Sequence, residues 1–168
     1  MSYLRFLAMI VTSTVVMFGF MYLNVYAADH VFFSQTRAWM ALGMGAVMAV
    51  VMLGFIWSMY PRRGANVAVL AGAAVVFAGA IWLVRSQATV DDVSYMKAMI
   101  PHHSIAVLTS ERARIKDAEV RALADRIIEA QVREIGEMEA LIGRLNRTPP
   151  AADAPVLPSN RARGAAAP

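Results

Sequence analysis

The segment MKAMIPHHSIAV, residues 96–107, brings two thioethers, a proline and two of the chain's three histidines together. Read as a helix, it puts His103 on one face with Met99 and Met96, at spacings of four and seven. His102 shares a face with Met99, at a spacing of three. Neighbouring residues on a helix point about 100° apart, so His102 and His103 diverge on a straight helix. Pro101 removes one helical hydrogen bond and predicts a kink there, which could turn both imidazoles toward one pocket. Thioether and imidazole donors together suit Cu(I), and by extension Ag(I), better than Mg or Ca. Zinc prefers Cys, His and carboxylate ligands and is the weaker fit, because the chain has no cysteine and Glu134 is the only obvious carboxylate partner.

Two helices must position these groups. Thr89, with Asp92 three residues later, matches a capping signature, and a first helix is predicted from about Val90 to Ile115. Asp117 can cap a second helix from about Ala118 to Asn146, with Glu119 favoured in its first turn. The second helix has a heptad-like seam, with one row Val120, Ile127, Glu134, Leu141 and another Ala124, Gln131, Met138, Leu145. Folded as an antiparallel hairpin, Met96, Met99 and His103 would face Gln131, Glu134 and Met138. Polar groups in a seam either satisfy one another or line a site. The metal set expected from this layout is Met96, Met99, His102, His103 and Met138, with Gln131 and Glu134 orienting an imidazole. A lone hairpin encloses little core, so a second copy is expected to complete a four-helix bundle as a homodimer.

Ahead of the hairpin lie three uncharged apolar runs, Phe6–Ala27, Ala38–Tyr60 and Asn66–Val84. Each is about 20 residues long, enough to cross a bilayer as helix. The sequence is 58% hydrophobic and 17% charged, too apolar for an ordinary soluble domain. The expected organisation is a membrane domain over residues 1–86, a helical hairpin domain over 87–147 and a disordered Pro/Ala-rich tail over 148–168. Arg62 and Arg63 in the turn between the second and third runs predict that this turn, and Arg5, face the cytoplasm. The hairpin would then be periplasmic on an inner membrane. The "VYA" before Ala28 also resembles a signal-peptidase site, although the apolar run is long for a signal core. In the second run Met40, Met44, Met48 and Met52 form one row at i+4 and Ala41, Gly45 and Ala49 another. The methionines read as flexible packing or as a soft-metal relay, and the small residues as a close-approach surface.

The formal charge of +4 comes mainly from arginines flanking apolar runs, which argues against nucleic acid as a partner. No Gly-x-Ser-x-Gly, His-Glu-x-x-His or phosphate-loop motif is present, and no Glu-x-x-His pair suits a di-iron oxidase, so no catalytic residue is assigned. Two function classes stay open. One is a membrane-anchored metal-binding protein. The other is a structural or interaction module whose polar seam fixes helix register without a metal.

The stretch Met99–Ile100–Pro101–His102–His103, followed by Gln131, Glu134, Ile135 and Met138, resembles the family called domain of unknown function 305. The resemblance covers roughly Val93 to Leu145, and the membrane part resembles a membrane-anchored branch. It implies a ferritin-like helical fold outside the cytoplasm and, for some members, copper binding and copper tolerance through His and Met. Longer members carry the His-His hairpin twice; this chain carries it once.

Overall fold

The computed structural model describes residues 2–159, and among these the chain is all-helical with no strand. Five helices follow in order: α1 (Tyr3–Phe20), α2 (Gln35–Phe55), α3 (Arg63–Ser86), α4 (Asp92–Arg112) and α5 (Ala118–Arg147). Side-chain oxygens start four of them by accepting orphan backbone N–H groups. Ser2 accepts from Leu4, Ser34 from Arg37, Asp91 from Ser94 and Asp117 from Val120. The α4 cap is therefore Asp91, not the expected Thr89. An Asp directly before the helix satisfies the N3 amide, whereas Thr89 lies before the first helical turn. Gln87 closes α3 in the left-handed conformation, φ 54 and ψ 22, the only positive φ at a non-glycine among the described residues.

Helices α1, α2 and α3 are long and apolar enough to cross a membrane. Helix α2 lies centrally and packs on both others. Its small residues allow this. Gly45 abuts Thr14 of α1, and a Cβ at Gly43 would lie 3.6 Å from the Ala80 Cβ of α3. Ala41, Gly45 and Ala49 are all buried, as a close-approach row requires. The methionine row does not follow one environment. Met40 and Met44 are exposed, whereas Met48 and Met52 pack against the core. At one end Tyr3, Tyr60 and Asn66 tie the bundle together. The Tyr3 hydroxyl lies 2.8 Å from Asn66 Oδ1, and Asn66 Nδ2 donates to the Tyr60 carbonyl at 3.2 Å.

The first apolar run does not form one helix. It stops at Phe20 and turns over Met21–Asn24. The remainder crosses α4 as a strap. The Tyr26 N–H donates to Ser104 Oγ at 2.7 Å, Phe32 packs against the hairpin core, and Gln35 Nε2 donates to Ser94 Oγ at 3.1 Å. Apolar residues after Phe20 thus serve a protein contact instead of a longer span. The second run also ends early, at Phe55, followed by a 3-10 turn over Trp57–Met59.

Helices α4 and α5 pack antiparallel across the short link Ala113–Asp117. Their core is Met96, Ile100, Ile135 and Ile142, with Val93, Met138 and Leu145 against it. The seam of α5 is rotated from the expected one. Ile135 and Ile142 are buried, while Val120, Ile127 and Leu141 are exposed. Helix α5 is apolar over two adjoining faces, and α4 covers the second. After Thr148 the described residues 149–159 hold one turn and no helix; residues 160–168 of the expected disordered tail lie outside the described residues.

Candidate functional site

The site grows from the middle of α4. The helix continues unbroken through Pro101, which is buried. One residue on, His102 points to the exposed side and His103 into the seam, with ring centroids 6.3 Å apart. The helix does not turn the two imidazoles into one pocket.

His103 is held at both ring nitrogens. Nδ1 lies 3.0 Å from the Met99 carbonyl and Nε2 lies 2.8 Å from Glu134 Oε2. A carbonyl oxygen only accepts, so Nδ1 carries a proton and donates to Met99. Nε2 then faces a carboxylate oxygen, and that contact needs one further proton between the two atoms. The pair is thus an imidazolium with a carboxylate, or an imidazole with a carboxylic acid, sharing a single exchangeable proton. The His103 side chain is 11% exposed and that of Glu134 43%, so the pair sits at the lip of the seam with one side open to water.

The thioethers divide along the same seam. Met96 is buried two turns before His103, and Met138 packs against the same cluster from α5, one turn after Glu134. Met99 and Gln131 are half-buried. The structure therefore brings Met96, His103, Glu134 and Met138 to one helix–helix interface and leaves His102 outside it. Among the described residues no group of three His, Asp or Glu gathers closely enough to hold an ion. Imidazole and thioether are donor types that suit a soft monovalent ion, but Met96 stands two turns, about 10 Å, from His103, and Nε2 of His103 is taken by Glu134.

One cluster escapes sequence reasoning. Ser104, next to His103 and fully buried, accepts from Tyr26 N–H and sits 2.9 Å from His30 Nδ1. The third histidine thus docks the strap one residue from the seam histidine. The available signal is that His30 and the His-His pair lie on the same side of the apolar runs. Nearby, the Glu111 carboxylate accepts from the Tyr26 hydroxyl and raises its pKa above the ordinary tyrosine value of 10.0. At the start of α4 the Ser94 N–H holds the Asp91 carboxyl below its ordinary 3.8.

Residues 92–167 match the family described as Domain of unknown function (DUF305), a match that begins at the first residue of α4. An uncharacterized protein, L153, of Acanthamoeba polyphaga mimivirus is similar to part of the chain. The two are 41% identical over 64 residues, which are 37% of this chain and 42% of that protein. The chain thus spans less than half of that relative's length. No solved structure matches the chain.

Proposed function

From a chain that carries a DUF305 domain behind three apolar helices, we infer a membrane-anchored protein that binds Cu(I) or Ag(I) on its hairpin. The reading is supported by one observation: Met96, Met138 and His103 lie along a single cysteine-free helix–helix seam. Met96, Met99, Met138 and the Nε2 atom of His103 are the candidate donors along that seam, and His102, on the exposed side, lies outside it. When bound, the ion supplies a soft Lewis acid and no bond-making chemistry on a substrate is called for. Glu134, which is bonded to Nε2, would stand as a carboxylate beside the site. An ion on Nε2 would take the place of the proton between His103 and Glu134, so its uptake would release a proton.

The arginine-bearing turn between α2 and α3 supports a cytoplasmic location for that end and an extracytoplasmic, periplasmic one for the hairpin on an inner membrane. A cysteine-free chain makes single-cysteine labelling from either side a direct check. The exposed row Val120, Leu123, Ile127 and Leu141 on α5 supports pairing of hairpins between two copies.

A structural reading, in which the polar seam only sets helix register, is favoured by the fact that both ring nitrogens of His103 already have partners. Titration of the full chain in mild detergent with Cu(I) against a competing chelator separates the two. Metal binding predicts loss of the site in His102→Ala/His103→Ala and in Met96→Leu/Met138→Leu, with a proton released per ion. Equal binding by wild type and both double variants sinks it, and a hairpin that keeps its fold without any ion supports the register role.

A further inference from the structure

Helices α1 and α3 both pack on α2, and Tyr3 of α1 meets Asn66 of α3 at one end. Between them lies an apolar cleft of about 540 Å³, within the roughly 300–1,000 Å³ of small-molecule sites. Its floor and walls include Phe6, Ala46, Ala49, Gly72 and Val76. A Cβ added at Gly72 would meet nothing within 4 Å, so the cleft is open space there. One end is polar. Tyr3 lines the cleft, and its hydroxyl reaches Asn66 and the Arg62 carbonyl. Behind it the Tyr60 hydroxyl is buried without a hydrogen-bond partner, its ring packed on Tyr3 and Phe6 at 4.8 and 5.9 Å. At this same end Arg5, Arg62 and Arg63 are exposed, and none of them is ion-paired among the described residues. Asp29 is the only acidic residue before Arg85, and it lies at the opposite end of the bundle, so no carboxylate is near to neutralise the three guanidiniums.

We propose that this cleft holds an acyl chain of one anionic phospholipid, with its phosphate at the rim beside Arg62 and Arg63. An apolar slot whose polar end meets the loop that carries the exposed Arg62 and Arg63 suits such a lipid, and basic pockets between spanning helices are a recurring way to hold anionic headgroups. A helix from a second copy fits less well. Two copies inserted the same way in one bilayer would bring six like charges to the same rim. The site is independent of the hairpin and of any metal there.

Native mass spectrometry of the full chain, released from detergent supplemented with phosphatidylglycerol or phosphatidylcholine, tests this. One phosphatidylglycerol should be retained in preference to phosphatidylcholine. The exposed substitutions Arg62→Gln and Arg63→Gln should each weaken retention about fivefold. Gly72→Leu and Val76→Phe, which fill the slot and leave the arginines intact, should abolish it while circular dichroism shows unchanged helix content. Equal retention of the two lipids, or phosphatidylglycerol retention unaffected by both slot-filling variants, would overturn the proposal. So would a dimer that the slot-filling variants dissociate, because the cleft would then seat a second copy.

Discussion

The three-helix bundle and the hairpin each bury one polar knot, and the two knots differ in kind. In the bundle, Asn66 is fully buried, with its amide oxygen facing the Tyr3 hydroxyl and its amide nitrogen donating to the Tyr60 carbonyl. Neither of these two bonds needs a charge. In the hairpin, His103 and Glu134 share one exchangeable proton at a half-open lip. A neutral, closed knot can only hold elements together. A protonic knot with one side open to water can also trade its proton for another cation. That difference separates a purely structural knot in the bundle from a proton-bearing one in the hairpin.

The comparison breaks most severely if the hairpin does not have a core of its own. Ile100 is fully buried in it. Ile100→Ala should cost about 3 kcal/mol and remove amide-exchange protection from α4 and α5 while α2 keeps its own. Equal loss in α2 would mean that the regions unfold as one. Next come the knots. Glu134→Ala leaves Nε2 of His103 without a partner and should destabilise the hairpin by about 1–2 kcal/mol, whereas Glu134→Gln, which can donate a neutral hydrogen bond to Nε2, should recover most of it. Asn66→Leu should cost about 1 kcal/mol in the bundle, with no dependence on pH across the range where histidine titrates. Reversal of these two patterns in thermal unfolding would erase the distinction.

The smallest effect sits at the joint between the regions. The Asp91 carboxyl is held low by the Ser94 N–H, so its capping contribution is fully present above the ordinary carboxylate value of 3.8. It is lost as pH falls through the depressed value. Asp91→Ala should cost about 0.5–1 kcal/mol at neutral pH, at the low end because the site is exposed, and should remove part of the acid-induced loss. An acid limb identical to wild type would show that the cap is not what titrates.

The spans were legible because length and the absence of charge are enough to indicate a membrane helix. Their ends were not. Tyr22–Ala27 is as uncharged as the helix before it, and only the tertiary contact with Ser104 reveals that it leaves the span. The facing of His103 and Glu134 was legible, since both break an apolar pattern and the turn at Asp117 brings those breaks opposite each other. The register of α5 was ambiguous because Ile127 and Ile128 offer two adjoining apolar rows. The fate of His102 turned on Pro101. A proline inside a helix signals a lost hydrogen bond, but the surrounding packing decides whether the axis bends. His30 carried no periodic signal at all, because a loop has none.

The link between α3 and α4 has a consequence for reach. Only Gln87–Asp91 separates the two helices, at most about 17 Å of extended chain, and the strap fastens α4 a second time at Ser94 and Ser104. The hairpin is therefore no domain on a flexible tether searching the space beyond the membrane. A partner of the hairpin would meet it close to the three apolar helices, and a shift of α4 near Ser104 would pull on the strap between α1 and α2.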